Sequence, residues 1–283
     1  MLEFLPNQVK SEIYKATKSP YEIRIRADKP ITVKGSNGLT TIVKTLCVSM
    51  GKREIEQAVL RLCNHAIYSV EESLRMGFIT SKNGERVGVC GELVYNGQSV
   101  VAIKNFSSLS VRFPHYVFGC SEEYSKALVT ATSCLIISPP FHGKTTFIRD
   151  LGRVYSDKFN LNVLYIDERD ELSLGGSFNL GKNSDVLRYS NKSFGFYNGV
   201  RAYNPDVIIC DELMTGDDCN SVEFAMASGV KVVASAHSSN LENLLKKKEI
   251  SKIIQKNTFE DIILLDRFKI KEIYKEQDWQ KYF

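Results

Sequence analysis

The pattern of apolar residues predicts an α/β fold with a mainly parallel sheet, preceded by a smaller α+β domain. Two observations carry this. From about residue 130 onward, unalternating apolar runs of strand length recur, namely "CLII", "NVLYI", "DVIIC", "KVVASA" and "DIILL". Runs of that kind, joined by loops and helices, belong to parallel strands buried on both faces. Before residue 115 the apolar residues alternate with charged ones, as in "YEIRIR", which marks strands with one wet face. The expected organisation is an α+β domain at 1–115 and an α/β domain at 116–283.

Taken in order, "YEIRIRADKPITVKG" sets Ile23 and Ile25 against Arg24 and Arg26, a half-exposed strand that turns at Lys29–Pro30. "REIEQAVLRLC" places Ile55, Val59, Leu62 and Cys63 on one helical face, with Glu54 and Glu56 near its positive end. "ERVGVCGELVYNGQSVVAI" reads as a hairpin turning at Asn96–Gly97, and "FSSLSVRFPH" as a further short strand ended by Pro114. In the second domain "TTFIRDLGRVY" follows the first apolar run as a helix, with Phe147, Ile148, Leu151 and Tyr155 on a common face. "LLKKKEISKIIQK" reads as one lysine-rich helix with a solvated face. There is no internal repeat and no low-complexity tract.

The composition, 43% apolar and 25% charged, matches ordinary globular chains and excludes the disordered class. No apolar run approaches the roughly 18 residues that span a bilayer, and the amino terminus lacks the basic start and apolar stretch of a secretory signal. The expectation is a soluble, intracellular protein. Seven scattered cysteines without CxxC spacing argue against a disulfide framework and a zinc site. Charge is uneven: +6 over residues 1–115, −5 over 116–245 and +3 over 246–283. A basic front and acidic centre suit steering of an anionic partner or front-to-centre packing of copies, and ordinary solvated faces equally.

The chemistry concentrates in "SPPFHGKTTFIRDLG". A phosphate loop delivers backbone N–H groups at a helix start, where they and the helix dipole hold an anion. A lysine then reaches the outer phosphates and a Thr hydroxyl ligates magnesium. Gly143, Lys144 and Thr145 stand on that spacing, but Ser138 stands where the first glycine is usual. Alone, Gly-Lys-Thr also merely opens a helix. "YNPDVIICDEL" adds a buried strand ending in Asp211 and Glu212, about 65 residues after the lysine. These suit a carboxylate of the magnesium shell and one that polarises an attacking water. "NVLYIDERDE" ends in Asp167 and Glu168, and "KVVASAH" in His237. Ligands of open parallel sheets gather at the carboxyl edge, so four strand ends deliver acids, lysine and histidine to one edge. That convergence points to a nucleotide site.

With these residues in hand, the chain resembles the secretion and pilus ATPases, RecA-like hexameric motors. It is more closely similar to the stage III sporulation protein AA family of endospore-forming bacteria. The matching stretches are "EIRIRADKPI", "RVGVCGELV", "IKNFSSLSVR", "SPPFHGKTTFIRDLGR", "YIDERDEL", "DVL", "NPDVIICDEL" and "GVKVVASAH", in order over most of the chain. The resemblance implies a RecA-like P-loop ATPase domain and a cytoplasmic ATPase that binds ATP and Mg2+. It implies a homo-oligomer, a hexameric ring, peripheral at the forespore membrane on the mother-cell side. There it would power or assemble a channel together with an integral membrane protein. Carried over residue by residue, Ser138, Pro139, Pro140, Phe141, His142, Gly143, Lys144, Thr145 and Thr146 form the nucleotide loop. Thr145 and Asp211 would hold the metal. Lys144, Glu168, Glu212 and His237 would form the catalytic set. "GERVGV" and "SVRFP" resemble segments that put arginines toward a neighbouring subunit's phosphates, which makes Arg86 and Arg112 candidate trans arginines. A surface-strand arginine is the competing reading for both.

Two departures stand out. Were position 138 left-handed, serine would cost on the order of 1 kcal/mol relative to glycine, and slow turnover is the expectation. "LMTGDD" after Glu212 is less basic than the resemblance leads one to expect. Two other functional readings remain open. One is a nucleotide-binding structural ring component with little turnover. The other is a nucleic-acid-dependent RecA-type ATPase, which the lack of a basic run interleaved with aromatics in the first domain argues against. No nucleic-acid partner is therefore expected.

Overall fold

The computed structural model describes residues 2–37, 40–63, 77–113, 117–140, 142–174, 176, 178–188 and 190–283. Phe141 and Pro114 lie outside the described residues. The chain divides into two compact units, one of Met1–His115 with Leu174–Ser177, the other of Tyr116–Ser173 with Phe178–Phe283.

In the first unit, α1 (Asn7–Ala16) precedes β1 (Ser19–Arg26), β2 (Pro30–Asn37) and β3 (Thr40–Ser49), and α2 (Lys52–Leu62) follows. After these come β4 (Phe78–Thr80), β5 (Arg86–Asn96) and β6 (Ser99–Arg112). The six strands pair antiparallel in the order β3-β2-β1-β6-β5-β4. Ile23 and Ile25 of β1 are buried while Arg24 and Arg26 are exposed, as alternation along a one-sided sheet requires. On α2, Ile55, Ala58, Val59 and Leu62 turn into the same core. The β5–β6 hairpin turns through Gly97 with φ 62, a conformation that glycine adopts without a Cβ penalty. "FSSLSVR" is not a separate short strand. It continues β6, because register shifts opposite Cys90–Glu92 absorb the irregularity and let one long strand run on.

The second unit opens with α3 (Glu122–Lys126) and then β7 (Cys134–Ser138), α4 (Lys144–Lys158) and β8 (Val163–Asp167). Next come β9 (Ser184–Arg188), α5 (Lys192–Tyr203), β10 (Val207–Cys210), α6 (Gly216–Ala227) and β11 (Lys231–His237). The chain ends with α7 (Leu241–Leu245), α8 (Lys248–Gln255), β12 (Asp261–Asp266), β13 (Lys269–Tyr274) and α9 (Glu276–Gln280). The strand order is β13-β12-β7-β11-β10-β8-β9. All neighbours run parallel except the last hairpin, β12 with β13.

Alternate residues of the strands face α4 or the opposite helical layer. Leu135, Ile137, Leu164, Ile166, Ile208 and Val232 share a core with Phe196, Val222, Leu244 and Ile253 from α5, α6, α7 and α8. Phe147, Ile148, Leu151 and Tyr155 of α4 are fully buried, and α4 packs on β7, β8, β10 and β11. The lysine-rich stretch is two helices, not one. The chain breaks at Lys246–Lys247, and α8 buries Ile250, Ile253 and Ile254, so that helix is amphipathic rather than merely solvated.

Candidate nucleotide site

Ser138 closes β7 in register with His237 of β11 and is not among the residues with positive φ. The extended strand end takes serine without strain, and the penalty expected for a left-handed position does not arise. Pro139 and Pro140 carry the chain out of the sheet. Gly143 then takes φ 97 as the N-cap of α4, a left-handed value that favours glycine. The first N–H groups of α4 lack intrahelical partners and open at the carboxyl edge of the sheet.

Lys144 folds back over this loop. Its Nζ donates to the Ser138 carbonyl at 3.3 Å and to Ser138 Oγ at 3.4 Å, and lies 2.9 Å from His237 Nδ1. Burial pushes the Lys144 ammonium below its ordinary value, against the opposing pull of Asp211 and Glu212. Phosphate oxygens beside it would favour the charged ammonium that burial disfavours.

Thr145 Oγ1 donates to Asp211 Oδ2 at 2.6 Å. Asp211 also accepts from Ser235 Oγ and, at 3.0 Å, from the Glu212 amide. Glu212 has φ 48, and its amide further donates to Ser235 Oγ at 3.0 Å. These bonds set the direction of its side chain, whose Oε2 accepts from Arg169 Nη1 at 3.0 Å while Oε1 lies 3.3 Å from His237 Nε2. With Lys144 donating to Nδ1, the imidazole proton resides on Nε2 and faces Glu212. His237 thus links the lysine of the loop to the acid of the neighbouring strand.

The β8 end divides its labour. Asp167 is buried and accepts from the amides of Glu171, Leu172 and Ser173 at 2.8, 3.1 and 2.7 Å. It therefore shapes the following turn; burial raises its carboxyl, with those hydrogen bonds acting in opposition. Glu168 instead accepts from Lys192 Nζ of α5 at 2.7 Å. Burial lowers Lys192, but the bond to Glu168 and nearby acids outweigh it, and the ammonium ends above its ordinary value. Glu168, Arg169, Lys192, Asp211 and Glu212 line one small cleft.

The structure thus brings Ser138, Gly143, Lys144, Thr145, Asp211, Glu212 and His237 together, with Glu168 at the rim. Thr146 lies in the first turn of α4. His142 turns away, its Nε2 3.4 Å from Asp266 Oδ1. Arg86 and Arg112 lie in the first unit, directly opposite each other on β5 and β6. Arg86 also stacks over Phe78 at 3.9 Å. Arg169, Lys192, Ser235 and Phe268 received no role from the sequence. "DERDE" does show Arg169 between acids, but nothing local marks its partner as Glu212.

The pair Thr145–Asp211 offers hard oxygen donors, the kind magnesium takes while it keeps waters and phosphate oxygens. No cluster of three or more His, Cys, Asp or Glu side chains suited to a metal occurs among the described residues. The donor set fits a cation that arrives with a nucleotide rather than one caged by protein.

Comparison with known proteins locates the chain. At 14% identity it shares the fold of the pilus retraction motor PilT with bound ADP, at a TM-score of 0.63 over 91% of this chain and 76% of that one. It matches the Legionella pneumophila ATPase DotB at 0.59 and 14% identity, over 93% of this chain and 76% of that one. The "Uncharacterized protein ycf45" of Cyanidium caldarium is 26% identical over 155 residues, covering 53% of this chain and 46% of that protein. "Stage III sporulation protein AA" of Bacillus subtilis (strain 168) is 27% identical over 283 residues, 94% of this chain and 90% of that protein. The family model described as sporulation stage III, protein AA matches residues 7–279, and the chain belongs to that family.

Proposed function

We propose that the chain is a RecA-like P-loop ATPase, an ATP-hydrolysing ring motor of the secretion-ATPase kind. On this reading it energises or assembles a transport channel between mother cell and forespore. The observation that carries the ATPase reading is the 2.6 Å bond from Thr145 to Asp211, with Lys144 on one side and Glu212 on the other. The family supports the sporulation setting, and the fold shared with PilT and DotB supports the motor.

The phosphates settle on the α4 amino terminus, where Gly143, Lys144, Thr145 and Thr146 supply N–H groups; Pro139 and Pro140 have none to give. Lys144 leaves the Ser138 carbonyl and His237 for the outer phosphates. Thr145 and Asp211 would hold Mg2+, which would neutralise charge developing on the phosphate oxygens. Glu212 lets go of Arg169 or His237 and orients the attacking water, while His237 and Glu168 keep the polar wall of the site. In a hexameric ring, Arg86 and Arg112 reach a neighbour's phosphates. The ring works in the mother-cell cytoplasm, peripheral at the forespore membrane, against an integral membrane partner.

Glu212→Gln keeps ATP binding and lowers hydrolysis roughly 100-fold or more, since only the water-polarising group is lost. Lys144→Ala weakens binding itself. The capture of Glu212 by Arg169 and His237 favours a second reading, a nucleotide clamp with little turnover. Equal background rates for wild type and Glu212→Gln in assembled protein sink the motor and leave the clamp. A rate unmoved by added DNA or RNA disposes of a nucleic-acid-dependent ATPase.

A further inference from the structure

The turn between β12 and β13 holds Arg267 at φ 46 and Phe268 at φ 69, consecutively in the left-handed region. Two-residue hairpins of that shape ordinarily use Asn-Gly, and a bulky residue there is strained. Such outliers persist where the surroundings over-determine them, often at ligand sites. Here the surroundings are the phosphate loop. The Phe268 amide donates to the His142 carbonyl at 3.0 Å, and His142 Nε2 lies 3.4 Å from Asp266 Oδ1 at the same hairpin. The Phe268 ring lies so close over Gly143 that a Cβ there would stand 2.4 Å from ring Cδ1. Yet Phe268 keeps 47% of its surface exposed, so burial of an apolar side chain does not account for the strain.

Strand order says what the open face meets. β12 flanks β7 on the side away from β11 and β10. The acids and His237 that mark the terminal phosphate stand at the ends of β10 and β11. A triphosphate with its reacting end there runs back across the start of α4 and leaves its nucleoside on the β12 side. We infer that Phe268 stacks against the base of the bound nucleotide. This rests on the nucleotide reading above and adds the group that holds the nucleoside. A π face reads no base edge, so the contact favours a nucleoside phosphate over an inorganic one without choosing among bases.

The test compares ATP with inorganic tripolyphosphate on the full chain. Phe268→Ala weakens ATP binding roughly tenfold and leaves tripolyphosphate within about twofold of wild type. Phe268→Trp keeps ATP affinity, and the emission of the introduced indole is quenched by ATP but not by tripolyphosphate; Trp279, the one native tryptophan, is buried and serves as background. Equal losses for both ligands make Phe268 a prop for Gly143 and overturn the inference, as does an unchanged ATP affinity. If Phe268→Ala does not fold, unquenched emission from the Phe268→Trp variant at saturating ATP decides against stacking. Failure of the wild type to bind ATP, or ATP binding indifferent to Lys144→Ala, overturns the nucleotide site itself.

Discussion

The Ser138 hydroxyl is buried at the end of β7 and donates to the Pro139 carbonyl at 2.7 Å, while Lys144 donates to the Ser138 carbonyl at 3.3 Å. The residue thus belongs to the cradle that holds the resting lysine. Restoring the usual glycine removes a buried hydrogen bond and adds backbone freedom to a strand end. Ser138→Gly is therefore expected to lower stability by about 1 kcal/mol and not to raise turnover. Urea unfolding and steady-state ATP hydrolysis check the two halves; a faster Ser138→Gly enzyme would revive the view that serine impairs the loop. Glu212 is the opposite case, since its φ of 48 costs on the order of 1–2 kcal/mol and is held by Asp211 and Ser235. Nothing in "CDEL" announces that backbone. It follows from β11 standing beside β10.

Among the elements, α4 carries the site and is itself moored. Asp150 on its buried face accepts from the Gly119 amide at 3.1 Å, the Ser121 amide at 2.9 Å and Ser121 Oγ at 2.7 Å. Arg153 adds an ion pair at 2.8 Å. Burial alone would raise the Asp150 carboxyl, but these hydrogen bonds outweigh it and hold it below its ordinary 3.8. A depressed folded value means that the stabilisation is present above the ordinary carboxylate range and is lost as pH falls through the lowered value. Asp150→Asn is expected to cost about 1.5–3 kcal/mol at neutral pH, with the gap to wild type closing at acid pH. A gap independent of pH in chemical denaturation would show that the carboxylate charge is not what moors the helix. The five unalternating strands and the α4 face were readable because burial on both sides leaves long apolar runs. β9 and β13 were not, because edge strands with exposed residues look locally like loops. The break between α7 and α8 was hidden by three consecutive lysines.

At the scale of the molecule, a basic front, +6 over residues 1–115, and an acidic centre, −5 over 116–245, suit contact between the front of one copy and the centre of the next. Arg86 and Arg112 stand directly opposite each other on one sheet, with Glu22 of β1 opposite Arg112 on its other side. If the site is shared in this way, ATP turnover per protomer rises with protein concentration. Arg86→Ala then lowers turnover in assembled protein without weakening nucleotide binding by the isolated chain. Turnover per protomer that is flat across the assembly range argues instead for a self-sufficient site.

By itself the sequence determined the fold class, the four strand ends that carry polar residues, and membership in a recognisable family. All of these are local, since an apolar run and the residue that ends it lie side by side in the chain. Only the tertiary structure decided that Thr145 meets Asp211, that Arg169 and His237 hold Glu212, that Lys192 takes Glu168, and that Phe268 covers Gly143. Each of those contacts depends on the order β12-β7-β11-β10-β8. Strand order is set by how helices and crossovers pack the whole sheet, and no single stretch of residues encodes it.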